Sequence, residues 1–281
     1  MRPSVTVACV QTSAGRDIDA NVDAVLPLIE DARAAGADLV LLPENVAMIE
    51  PDQALQRGKA LPEAEHPALA AFTGAAASLG LWLLVGSLTI RRDDGRVVNR
   101  SLLIDADGRI AARYDKIHLF DVELGDGESY RESAVISPGD RAVVAATPWG
   151  GLGLSVCYDL RFAGLYRALA KSGAAFLSIP AAFTRTTGVA HWHVLVRARA
   201  IETGCYVLAP AQCGTHAEGR RTFGHSLIVD PWGSIIAEAD DDIGIITAQL
   251  DPGAVTAARR RIPALEHDRP FAVQPSLVVP T

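Results

Sequence analysis

The sequence predicts an α/β fold, a single domain of the kind that builds four layers, and three observations support that expectation. Strand-like apolar runs alternate with segments of helical period along most of the 281 residues. Two of these runs, 37–42 and 174–180, are apolar enough to be strands covered on both faces. No linker, low-complexity tract or sequence repeat interrupts the alternation, and a chain of this length can bury about three quarters of its unfolded surface in one domain. The domain is therefore expected over 1–281, with a core at about 4–262, a tail at 263–281 and disorder only at the ends.

The elements follow in order. A strand-like run over 4–12 leads into a segment with Val22, Val25, Leu26 and Ile29 at helical spacing, which should stop near Gly36. Residues 37–42 read as a buried strand that Pro43 ends, leaving Glu44 just beyond its carboxyl end, where α/β folds keep their chemistry. A helix over 66–79 and a strand over 81–91 come next. A hairpin then turns at Asp105-Ala106-Asp107-Gly108, and its second arm runs out at Lys116. A glycine- and acid-rich loop is expected over 121–139. The run Gly151-Leu152-Gly153-Leu154-Ser155-Val156 is a strand and Cys157 a sharp turn. From about Asp159, Phe162, Leu165, Tyr166 and Leu169 at i, i+3, i+4 and i+7 mark a helix. The alternation repeats in a strand over 174–180, a helix over 188–203, a strand over 205–211 and a hairpin turning at Asp230-Pro231-Trp232-Gly233. Helices should then cover the strands on one face.

Composition narrows the partners. Lys and Arg number 26 against 33 Asp and Glu, a formal charge of -7, and no segment forms a basic face. Both observations argue against nucleic acid and against a membrane surface. No apolar stretch approaches the ~18 residues of a membrane-spanning helix, and Met1-Arg2-Pro3 leads straight into a strand rather than a signal peptide. Four cysteines without disulfide spacing fit a reducing compartment, so a soluble cytoplasmic protein is expected. No metal site is read. Cys205 and Cys213, with Pro210 between them, lack the spacing of a zinc knuckle or redox dithiol, and His191 and His193, two apart on one helix, face different ways.

Chemistry is expected to turn on Cys157. A free cysteine ionises near pH ~8.5 and is only slightly thiolate at neutrality, so a nucleophile needs a helix N-terminus, a base or a cation beside it. A helix starting near Asp159 would point partial positive charge at the sulfur and favour the thiolate. Cys9, Cys205 and Cys213 sit in or beside strand-like runs and read as buried fillers. Two charged residues stand, like Cys157, where apolar strands run out. Glu44 can take the thiol proton, and Lys116 can hold the oxyanion formed when sulfur attacks an acyl carbon. Base, cation and nucleophile together suffice for acyl transfer, with no cofactor expected.

The motifs Leu41-Leu42-Pro43-Glu44, Tyr114-Asp115-Lys116-Ile117-His118-Leu119 and Val156-Cys157-Tyr158-Asp159-Leu160-Arg161-Phe162 resemble, in that order, those of the nitrilase superfamily of carbon-nitrogen hydrolases. The resemblance runs along nearly the whole chain. It implies a nitrilase-type α-β-β-α sandwich, a Glu44-Lys116-Cys157 triad, a second glutamate at the site and a homodimer or higher homo-oligomer. Arg131-Glu132-Ser133 is similar to the motif that carries that glutamate, so Glu132 is preferred over Glu123 and Glu128. Within the superfamily, His191-Trp192-His193, Arg197-Ala198-Arg199-Ala200-Ile201-Glu202 and Gly224-His225-Ser226 resemble the Nit-type amidases, and Ala211-Gln212-Cys213-Gly214 is most similar to the branch acting on deaminated glutathione. The pair Ala163-Gly164 departs from the pattern, which commonly places proline first, and leaves the helix start and dimer contact less defined.

What the resemblance implies is hydrolysis of a small linear amide bearing a carboxylate. Glu44 would deprotonate Cys157, Lys116 and the Tyr158 N–H would hold the oxyanion, and ammonia would leave. Water activated by Glu44, with Glu132 positioning water or substrate, would then hydrolyse the thioester. Arg161, four residues past the nucleophile, is the expected contact for the substrate carboxylate. Arg199 and Glu202, three apart, read as an ion pair. ω-Amidase, nitrilase and N-carbamoyl amidase activities stay open, as does a catalytically silent binding protein on the same fold.

Overall fold

The computed structural model describes residues 4–125 and 128–274, so that residues 275–281 of the expected tail lie outside the described residues. The chain begins β1 (Val5–Gln11), α1 (Ile18–Ala34), β2 (Leu39–Leu41), α2 (Gln53–Lys59), β3 (Leu61–Pro62), α3 (Pro67–Leu79), β4 (Trp82–Arg91), β5 (Val97–Ile104) and β6 (Ile110–Asp115). A small ribbon of β7 (Asp121–Gly125) and β8 (Glu128–Arg131) follows. The second series is β9 (Val143–Thr147), β10 (Gly150–Leu154), α4 (Ala163–Lys171), β11 (Ala174–Ser178), α5 (Arg185–Thr203) and β12 (Tyr206–Ala209). The ribbon of β13 (Cys213–Thr215) and β14 (Arg221–Phe223) leads to β15 (Leu227–Val229), β16 (Ile235–Glu238), β17 (Gly244–Leu250) and α6 (Gly253–Arg261).

Two sheets result. One runs β17-β1-β2-β4-β5-β6, with β3 paired to β4, and the other runs β16-β15-β12-β11-β10-β9. Each has a parallel centre, β1-β2-β4 and β10-β11-β12, flanked by antiparallel strands. The two-residue period of a strand decides which layer each side chain joins. Along β1, Val7 and Cys9 enter the core shared with Leu152, Leu154 and Phe176 of the other sheet, whereas Ala8 and Val10 pack against Val22, Val25 and Ile29 of α1 and Phe72 of α3. On the far side of the second sheet, Tyr166 and Leu169 of α4 and Trp192, Val196 and Ala200 of α5 pack as the outer helical layer, with Leu169 against Gly153 of β10. The layers are thus helix, sheet, sheet, helix, as expected.

Local chemistry sets the boundaries. Asp17 caps α1 by accepting the Ala20 N–H at 2.9 Å, and the chain turns at Gly36 with φ 89°. Thr184 caps α5, which therefore starts at Arg185, earlier than the apolar pattern indicated. Several elements were invisible to that pattern, α2 and the β7–β8 ribbon among them. None of the seven residues of α2 is buried, so the helix rests on its Asp52 cap rather than on an apolar stripe. Instead of one loop over 121–139, the ribbon of β7 and β8 forms from residues that are only exposed or half-buried. No helix among the described residues is long and apolar enough to cross a membrane.

One glycine shows how closely the sheets approach. A Cβ on Gly86 of β4 would lie 1.8 Å from the Leu42 carbonyl oxygen and 2.5 Å from Cβ of Pro180. The ends of β2 and β11 meet there, and Glu44 and Cys157 emerge beside that meeting point.

Candidate active site

Cys157 sits in the left-handed region at φ 48°, two residues beyond the Ser155 that follows β10. For a residue with a Cβ this conformation is strained, and it persists because the surroundings fix it. The Cys157 N–H donates to the Pro180 carbonyl at 2.9 Å. Asp159, fully buried, accepts the Val156 N–H at 2.8 Å and the Tyr114 hydroxyl at 2.7 Å on Oδ2, while Oδ1 accepts the His118 N–H at 3.0 Å. One carboxylate therefore ties the Tyr114–His118 segment to the cysteine turn, a role that sequence reading did not assign to it.

The helix expected at Asp159 is instead a short 3-10 turn, Cys157–Arg161, and α4 starts only at Ala163. The α-helical N-terminus is displaced from the sulfur. Nor is the thiolate favoured. Burial, and then the charge of Glu44, push the Cys157 thiol well above its ordinary value of 9.0, and Lys116 offsets this only in part. At neutral pH the group is a thiol that needs a base.

Glu44 and Lys116 are both buried. Oε1 of Glu44 accepts from Lys116 Nζ at 2.8 Å and from Asn99 Nδ2 at 3.0 Å, and Oε2 accepts the Ala182 N–H at 2.9 Å. Glu132 lies on the other side of the ammonium, its oxygens 3.1 and 2.9 Å from Nζ, with Oε2 also accepting the Phe120 N–H at 2.7 Å. Burial alone would raise Glu44, but the Lys116 charge and hydrogen bond outweigh it and hold the carboxyl below its ordinary value. Burial alone would lower Lys116, but Glu132 and Glu44 outweigh it and hold the ammonium well above the ordinary lysine range. The resting site is a carboxylate, an ammonium and a neutral thiol.

Asn99 and Gln212 support this arrangement. Asn99 donates to Glu44 and, at 3.3 Å, to Glu132. Its signal in the sequence was a polar residue inside the apolar run of β5. Gln212 Nε2 donates to the Glu44 carbonyl at 3.0 Å, and its Oε1 accepts the Ala14 N–H at 2.9 Å. The Gln-Cys-Gly segment thereby anchors the backbone that carries Glu44.

Glu44, Lys116, Glu132, Cys157 and Tyr158 line a cavity of about 630 Å³. Tyr158 occupies the second position of the 3-10 turn, where the turn itself provides no acceptor for the N–H. Arg161 does not line the cavity. Its guanidinium packs over the rings of Tyr158 and Phe183, at 5.8 and 5.2 Å, and contacts His191 at 3.3 Å. Arg131, Arg185, Arg220 and Arg221 also line the cavity, and of these Arg220, which sequence reading missed, bears electrostatically on Glu44. Its guanidinium lies 5.3 Å from the Tyr130 ring centroid, and its Nε is buried with no hydrogen-bond partner among the described residues. The Arg199–Glu202 pair forms as expected, at 2.8 Å.

Residues 6–260 match the carbon-nitrogen hydrolase family. A deaminated glutathione amidase of Yersinia enterocolitica is 40% identical over 269 residues, which cover 95% of this chain and 93% of that one. Among solved structures, the C. elegans NitFhit protein superposes with a TM-score of 0.88 at 36% identity, covering 95% of this chain and 65% of that one. Saccharomyces cerevisiae Nit3, a member of branch 10 of the nitrilase superfamily, gives 0.84 at 30% identity, with 92% and 94% covered.

Proposed function

We propose, for a chain that belongs to the carbon-nitrogen hydrolase family, that it is an amidase acting on deaminated glutathione through Glu44, Lys116 and Cys157. The observation that carries this reading is the buried Lys116 clamped between Glu44 and Glu132 beside a strained, buried thiol in one cavity. The substrate class is supported by the likeness to deaminated glutathione amidases.

The chemistry follows from the charge states. As Sγ attacks the amide carbon, its proton passes to Glu44, the base held ionised by Lys116. The oxyanion develops against the Lys116 ammonium and the Tyr158 N–H, and one such donor is commonly worth about 10²- to 10³-fold in rate. Collapse expels the amine, which takes the proton from Glu44 and leaves an acyl thioester. Water then gives a proton to Glu44 as it attacks the thioester, and the departing sulfur recovers that proton. Glu132 holds the ammonium from its second side and positions the attacking water.

Deaminated glutathione, derived from a tripeptide, contains no primary amide. The leaving group is accordingly a fragment with a free amino group, and ammonia would leave only from a primary amide. Its carboxylates need a cation in a chain of net charge -7, and Arg220 fits that role better than Arg161 because it lines the cavity. Two copies are proposed to pair through the exposed apolar side chains of α5, Val194 and Ile201, and the neighbouring Trp232 and Ile236.

Mass-spectrometric product analysis on deaminated glutathione, α-ketoglutaramate, a simple nitrile and an N-carbamoyl amino acid tests this reading. Preferred cleavage of deaminated glutathione supports it. Preference for another member of the panel rejects the substrate, and failure on all of them rejects the enzyme.

A further inference from the structure

Two histidine motifs that the amidase chemistry leaves unused converge on one carboxylate. His193 of α5 places Nε2 2.8 Å from Oε1 of Glu238 on β16, and His225, in the turn before β15, places Nδ1 3.0 Å from the same oxygen. The three ligand-type atoms lie within 4.8 Å of one another, and none of the three residues lines the amidase cavity. We propose that His193, His225 and Glu238 bind one divalent transition ion of the zinc class.

The donor set selects that class. Two imidazole nitrogens and one carboxylate oxygen suit Zn²⁺, Co²⁺, Ni²⁺ or Cu²⁺, whereas Mg²⁺ and Ca²⁺ call for oxygen donors throughout. The ligands come from a helix, a turn and an edge strand, so tertiary structure rather than local spacing assembles them. His193 has no second histidine usable from its own helix, since His191 faces elsewhere, and the fold supplies His225 instead.

The surroundings hold His225 in place before any ion arrives. Its backbone lies at φ 52°, and that strained conformation is fixed by Trp192 Nε1 donating to the His225 carbonyl at 2.7 Å and by the Ser226 N–H donating to Gln11 at 2.9 Å. Its ring stacks on Phe223 at 4.4 Å. The other ring nitrogen, Nε2, faces Oδ1 of Asp241 at 3.6 Å, and Asp241 in turn lies 3.8 Å from Arg185. A carboxylate facing the far nitrogen of a histidine is the arrangement that fixes tautomer and ring direction in metal sites. The Glu238 and Asp241 carboxylates also match the double charge of the ion.

Calorimetric titration of tag-free, metal-stripped Cys157→Ala protein with ZnCl₂ tests the proposal, because the cavity thiol is then unable to hold the ion. The expected result is one ion per chain, with affinity falling at least about tenfold in both His193→Gln and Glu238→Gln. Nitrogen-15 histidine spectra should show metallation at Nε2 of His193 and Nδ1 of His225. In the wild-type background, His193→Gln should leave amidase turnover unchanged and abolish the rise in Tm that zinc confers on the parent. No binding, binding unaltered by folded His193→Gln and Glu238→Gln proteins, or spectra without shifted histidines would show that these residues form only a hydrogen-bonded network.

Discussion

A buried thiol that stays protonated depends wholly on its base, so Glu44 is the residue whose removal is most informative. Glu44→Gln should lower turnover by about 10²- to 10⁴-fold. The same change should make Cys157 more acidic, because it removes the carboxylate charge that raises the thiol and leaves Lys116, which lowers it. The pH midpoint of iodoacetamide labelling at Cys157 should therefore move down in the variant while catalysis disappears. A midpoint that stays or rises would mean that Glu44 does not face the thiol as described. Glu44, Lys116, Glu132 and Cys157 were legible in the sequence because strand ends and motifs mark them, and the structure brings all four to one cavity. Arg220 was not legible. It lies between two short ribbon strands, where no apolar period points a side chain anywhere, and only the tertiary fold carries it to the cavity.

At the scale of elements, the approach of the two sheets at Gly86 carries the geometry of the site. Gly86→Ala should cost roughly 2 to 3 kcal/mol or more, since a Cβ there meets backbone that flexible side chains are unable to relieve. Urea unfolding of the purified variant measures this, and its kcat should fall as well because Leu42 and Pro43 lead directly into Glu44. Unchanged stability would show that the strand ends have slack. Elements with a buried apolar period, such as α1, α3, β10 and β11, were readable from sequence because burial imposes that period. α2, β7 and β8 bury too little to impose one. The helix after Cys157 was placed too early because the pattern from Phe162 to Leu169 marks the buried face and is silent on the 3-10 turn before it. That turn is set by Asp159, which accepts the Val156 N–H within it and ties it to His118 and Tyr114, 41 and 45 residues away in sequence.

Over the whole molecule, burial raises the thiols of Cys9, Cys157 and Cys205 above their ordinary value of 9.0. A folded-state value above the unfolded one gives stability that is complete below pH 9 and is lost as pH rises, because only the unfolded chain releases these protons. Tm should hold through neutrality and fall above pH 9, with each thiol contributing on the order of 1 kcal/mol per pH unit. A Tm that stays level to pH 11 would contradict the burial of these groups. Substrate choice also belongs to this scale, since a chain of net charge -7 needs a local cation to accept an acidic amide. Arg220→Leu should raise KM for deaminated glutathione by about tenfold or more while leaving a neutral short-chain amide little affected, as expected for loss of a charge-assisted contact of roughly 1.5 to 3 kcal/mol. Equal effects on both substrates would place Arg220 in support of Glu44 instead. The catalytic claim is tested most directly by rapid-quench mass spectrometry of the wild-type protein during turnover of deaminated glutathione. A transient acyl adduct confined to the peptide containing Cys157 is the predicted result, and turnover with that adduct on Cys205 or Cys213 instead, or turnover retained in a variant lacking Cys157, would contradict it.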